Sequence, residues 1–93
     1  MEEEKKPLSV YDLLMFMIEQ MSSVSWQKLG LQHDPVTGKL EPDLNEARVA
    51  IDTTAFLVQQ LESRLDEEDR RRIQSMVRDL RINFVQRNTG DEG

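Results

Sequence analysis

Cysteine is absent from these 93 residues, which excludes disulfide staples, thiol catalysis and every thiolate metal site. A single histidine, His33, is too few for a histidine-rich metal site. No stretch approaches the roughly 18 consecutive apolar residues of a membrane span. The acidic start, Glu2-Glu3-Glu4, lacks the positive region that opens a secretory signal, so a soluble, cytoplasmic protein is expected. A chain of this length has room for one core and one domain.

What is present is apolar material at 38% of residues and charge at 32%, with a net charge of -6. The charge is evenly divided. Residues 1–42 hold seven acids and four lysines, and residues 43–93 hold eleven acids and eight arginines, so each part is -3. A net-acidic surface repels phosphate backbones at long range and argues against nonspecific nucleic-acid binding. The first helix offers Asp12, Glu19 and Lys28 on its polar side, the reverse of the basic face that anionic lipids attract.

The pattern is helical throughout, and an all-α domain of three helices is expected near residues 9–29, 43–64 and 66–88. Residues 1–8 read as a flexible arm and 89–93 as a flexible tail around a single domain over 9–88. Ser9 is an N-cap with Asp12 three residues on, and Gly30 stands where a left-handed residue would end the helix. Leu31–Pro42 is a connector containing the turn Asp34-Pro35-Val36-Thr37-Gly38, with Leu31, Val36 and Leu40 as expected anchors. Asp43 restarts the helix. Leu44, Ala47, Ile51, Thr54, Val58, Leu61 and Leu65 then follow at steps alternating 3 and 4, a heptad-like seam. The third helix opens on Asp66-Glu67-Glu68-Asp69 and carries the stripe Ile73, Met76, Val77, Leu80, Phe84, with Arg87 and Gly90 at its expected end. So short a connection between the second and third helices makes them an antiparallel hairpin.

Apolar residues exceed what one small bundle can cover. The first helix bears two stripes, Val10, Leu14, Met17, Met21, Val24 and Tyr11, Met15, Ile18, Trp26, Leu29, displaced by about a quarter turn. Leu13 to Ile18 is an unbroken apolar run. Val49 and Phe56 on the second helix, and Ile82 and Val85 on the third, lie off their main stripes. Such surplus implies association, with a homodimer, or a higher symmetric oligomer, built mainly on the first helix. Leu13, Met15, Phe16, Ile18 and Trp26 are expected at the contact, and Met17 and Met21 toward the protomer core.

Candidate chemistry is sparse. Arg70, Arg71, Arg72, Arg78 and Arg81 are the residues that resemble a nucleic-acid patch. Asp66, Glu67 and Glu68 stand four residues before the first three, an order that supports a self-paired helix start instead. His33-Asp34 lacks further ligands, Asp12, Glu19 and Asp52 lack a Glu-x-x-His pair, and the methionines suit adaptable packing. No nucleophile–base pair can be assembled. Neither a catalytic residue, a metal nor a cofactor is expected. A non-enzymatic, self-associating interaction module is the leading reading. An RNA- or ribosome-associated accessory protein using the arginine-bearing third helix is the alternative.

One stretch has a counterpart. Leu29-Gly30, Pro35-x-Thr37-Gly38 and Asp43-Leu44-x-x-Ala47-x-x-x-Ile51-Asp52, then Leu65-x-x-Glu68 and Asp79-Leu80-Arg81-x-x-x-Val85, resemble a bacterial family of short helical proteins labelled domain of unknown function 1844. The resemblance covers about residues 9–87 and implies a small all-helical protein with no assigned catalytic residues. Ser63-Arg64-Leu65 replaces the Gly-Asn-Leu-like turn that the family carries between its last two helices.

Overall fold

The computed structural model describes residues 5–92, with side chains through Thr89. Residues 1–4 of the expected arm and Gly93 of the expected tail lie outside the described residues. Three α-helices follow one another: α1 (Val10–Lys28), α2 (Leu44–Leu61) and α3 (Glu67–Glu92), with a single 3-10 turn (Glu62–Arg64) between the last two. Among the described residues there is no strand.

The helix boundaries follow from local chemistry. The Ser9 hydroxyl accepts from the Asp12 N–H at 3.4 Å, and Asp43 Oδ1 accepts from the Glu46 N–H at 3.1 Å, each satisfying one orphan donor of a first turn. At the end of α1, Gly30 adopts φ +82°, its N–H bonds to Gln27 O, and the Leu31 N–H bonds to Trp26 O. These two hydrogen bonds satisfy two terminal carbonyls of the helix. The chain then turns tightly. Asp34 Oδ1 accepts from the backbone N–H groups of Val36 at 2.7 Å and Thr37 at 3.1 Å, the Asp34 N–H donates to Lys39 O, and the Gly38 N–H donates to Asp34 O, closing the loop. Leu31, Val36 and Leu40 do not anchor this connector: all three are exposed, Val36 by 90%. The segment is held by backbone hydrogen bonds and by the Asp43 N–H to Lys28 O at 2.8 Å, which leaves its apolar side chains outward.

That last bond, with an ion pair from Lys28 Nζ to Glu46 Oε1 at 3.2 Å, sets the end of α1 beside the start of α2. At the other end the Arg64 guanidinium lies over the Tyr11 ring at 4.4 Å, so α1 and α2 are antiparallel. Small buried residues line their contact: Ser25, Ala47, Ala50 and Thr54. Ser25 and Thr54 turn their hydroxyls onto the carbonyls of Met21 and Ala50, so neither is left without a partner.

The turn into α3 uses no glycine. Leu65 leaves the 3-10 turn in an extended conformation, and Asp66 caps α3 through the Asp69 N–H at 2.8 Å. Arg70 reaches back to donate to Glu62 O and Leu65 O, tying the hairpin shut. α3 lies on α2 and meets α1 by side chains: Ile73 joins Ile18, Leu57, Val58 and Leu61 in one core cluster, and the Ser22 hydroxyl lies 3.2 Å from Met76 Sδ. A second cluster holds Leu29, Ala47, Ile51 and Leu80, and Met76 packs against both. α3 does not stop at Gly90, as its sequence suggests, but continues to Glu92. Gly90 lies within that helix and does not end it.

The result is thin. The molecule measures 61 × 32 × 18 Å, and its radius of gyration is 15.9 Å. A compact domain of this length has about 12 Å. The thickness leaves room for the α1/α2 hairpin as one layer and α3 on one of its faces.

Candidate protein-interaction face

Helical geometry decides what lies on the other face of the hairpin. On α1, Met15, Ile18, Ser22 and Trp26 turn toward α3. About 100° per residue then places Val10, Leu13, Met17, Gln20, Met21 and Val24 on the side of α2 away from α3. On α2 the same construction, with Ile51 and Val58 toward α3, leaves Val49, Thr53, Phe56 and Gln60 on that side. In an antiparallel pair these two strips adjoin. They form a face bearing no charged side chain except the Lys28–Glu46 pair at one end. Val10, Val49 and Phe56 are 65%, 64% and 58% exposed, Leu13 and Met17 are also exposed, and Met21 and Val24 are half-buried.

This arrangement reverses part of the sequence expectation. Ile18 is 2% exposed, inside the protomer core, and so is not available to a contact. Met15 and Trp26 are half-buried and pack against the two core clusters. Met17 and Met21, expected to turn inward, belong to the open strip. The physical reason is the position of α3, which covers Met15, Ile18, Trp26 and Leu29 and leaves Val10 and Met17 open, while Leu14 of the Val10–Val24 stripe packs inward against the core. Leu13 is exposed on the open face. Phe16 is exposed, three residues from Leu13, at the rim of that face. Sequence reasoning did not find Thr53 or the full strip from Val49 to Phe56; the signal was the uncharged i,i+4,i+7 series on α2.

The arginines of α3 are divided. Arg70 is bound to the hairpin carbonyls, Arg71 pairs with Glu67 at 2.7 Å and Arg72 pairs with Asp69. The expected partners of Arg70 and Arg72 were Asp66 and Glu68; Asp66 is instead occupied as the α3 cap. Arg78 is exposed, and Arg81 lies 3.6 Å from Asp52 on α2. The five are therefore not one patch.

The polar residues of the connector have structural tasks. The N–H groups of Val36 and Thr37 hold the Asp34 carboxyl below the usual carboxylate range, and His33 beside it is exposed. Glu46 raises the Lys28 ammonium, by hydrogen bond first and by charge second. Among the described residues, no three His, Cys, Asp or Glu side chains gather into a group that could hold a metal ion.

Fold and face together define a small two-layer helical protein whose principal feature is an uncovered apolar surface. The chain belongs to the family described as Domain of unknown function (DUF1844), whose model matches residues 11–86. No curated protein and no solved structure matches it. Among the described residues no helix is long and apolar enough to cross a membrane.

Proposed function

We propose that this chain is a non-enzymatic, self-associating helical module, in which a second copy covers the open face of the α1/α2 hairpin. The observation that carries this reading is the lack of charge on that face in a chain with 32% charged residues. Depletion of charge with retention of aromatic and methionine side chains is what distinguishes the centre of an interface from ordinary surface. Area supports it. The chain exposes 7077 Å², whereas a compact monomer of its mass exposes about 5,600 Å². The exposed residues 5–8 before α1 and the exposed end of α3 account for part of this surplus. The whole surplus, about 1,500 Å², is larger than the roughly 800 Å² per partner of a stable interface.

Two copies joined face to face about a two-fold axis would form a four-helix core from two hairpins, with each α3 outside. Leu13, Met17, Met21, Val49 and Phe56 would be its anchors, each contributing up to about 1.5–3 kcal/mol on full burial. Phe16 would close the rim. With Arg70, Arg71 and Arg72 engaged within the chain, the RNA-associated reading retains Arg78 and Arg81.

The test is paired substitution read by light scattering at micromolar concentration. Met17→Glu and Phe56→Glu should each halve the mass while leaving the helical circular dichroism in place. Ile82→Glu, on α3, should leave the mass unchanged. Retention of the unsubstituted mass by both face variants would refute the assignment.

A further inference from the structure

A second exposed apolar surface lies on α3, at the edge of the molecule away from α1, and its chemistry differs. A shallow, open strip runs along α3 from Gln74 to Gln86, lined by Val77, Ile82 and Val85, with about 610 Å³ of space over it. A hollow of about 250 Å³ between α2 and α3 is floored by Ile51 and Phe84. The two share Arg81 and Val85, so they form one trough. Arg48, Arg78 and Arg81 stand around it, and Asp52 is the acid among its lining residues. Three arginines against one aspartate make a local positive excess on a chain of net charge -6. Among the described residues, Arg48 and Arg78 take part in no ion pair.

We propose that this trough docks an acidic amphipathic helix of a partner protein. Its apolar face would lie on Ile82 and Val85 and enter the hollow over Phe84, and its carboxylates would meet Arg48, Arg78 and Arg81. Length agrees: Gln74 to Gln86 rises about 18 Å, three turns of a helix laid alongside. Guanidinium groups flanking an apolar floor suit carboxylates beside aliphatic side chains, which they can grip in bidentate fashion. Nucleic acid would use the arginines but leave Ile82 and Val85 wet, and the chain's net charge opposes it at long range. A second copy across a two-fold axis would set the arginines of one trough against those of the other, a like-charge contact. The proposal is independent of the self-association reading, since no trough residue lies on the α1/α2 face.

Fluorescence anisotropy of the full chain tests it with a defined probe. The probe is a labelled, stapled helix of about 14 residues, long enough to span the trough, with leucines on one face and glutamates flanking them. A version with glutamine for glutamate, and a single-stranded oligouridine, serve as comparisons. The glutamate peptide should bind, and the glutamine version should bind at least about tenfold more weakly. Arg78→Glu and Val85→Ser, both at exposed positions, should each weaken binding about tenfold with the circular dichroism unchanged. Equal or absent binding of the two peptides, indifference to both substitutions, or tighter binding of oligouridine would overturn the proposal. A fall in the mass of the chain on Val85→Ser would also overturn it, by placing a second copy in the trough.

Discussion

Gly30 and Asp34 carry the connector between α1 and α2, the first through its backbone conformation and the second through its side-chain hydrogen bonds. Gly30 sits at φ +82°, and a Cβ there would come within 3.0 Å of Pro42 Cβ. Gly38 has a similar φ of +73° but open space around it. Gly30→Ala should therefore destabilise the protein by about 1–2 kcal/mol or more, from left-handed strain plus the clash with Pro42. Gly38→Ala should cost less, because strain acts alone. Urea unfolding of the two variants decides the order. Asp34 adds a pH dependence. Its folded carboxyl titrates below its unfolded value, so its stabilisation is complete at neutral pH and is lost as pH falls through the folded value. In Asp34→Ala that acid-labile part should disappear: the loss of stability should be largest at neutral pH and shrink toward low pH. Denaturant titrations at several pH values between neutral and about 3 measure it, bracketing the usual carboxylate range.

At the scale of elements, α2 is the axis on which the other two helices are placed, and its small residues set how closely α1 approaches. Ala47 is fully buried at that contact. Ala47→Leu should wedge the helices apart and cost about 1–3 kcal/mol by overpacking. Leu80→Ala, which empties a fully buried position of α3, should cost about 2–5 kcal/mol. Both are read as shifts in the urea midpoint with the helical signal retained. The sequence displayed α2 clearly, since Ala47, Ile51, Thr54, Val58 and Leu61 keep a regular spacing and all are buried. The caps at Ser9, Asp43 and Gly30 were equally legible, because their chemistry is local. The facing of α1 was not legible. Both of its stripes are apolar, and what selects between them is where α3 lies and how Ser22 and Ser25 are satisfied. Serines read as polar on a wheel, yet Ser25 is fully buried because its hydroxyl bonds within its own helix. The connector misled for a related reason: its apolar residues suggested anchors, but backbone hydrogen bonds hold it.

For the whole molecule, shape and charge distribution point the same way. A plate 18 Å thick cannot enclose both sides of a helical hairpin within one chain, and the uncovered side carries no charge beyond the Lys28–Glu46 pair at one end. The family assignment fixes kinship without supplying an activity, so the account rests on that surface. Salt should affect its two interactions differently. Self-association through an uncharged face should change little as salt is raised, whereas docking on the arginine trough should weaken. Sedimentation equilibrium of the unsubstituted chain, across roughly the micromolar to submillimolar range in which such dimers form, tests the central claim most directly. The account predicts a mass twice the chain's 10.9 kDa that dissociates on dilution. A mass of 10.9 kDa at the highest concentration, with full helicity, would contradict it.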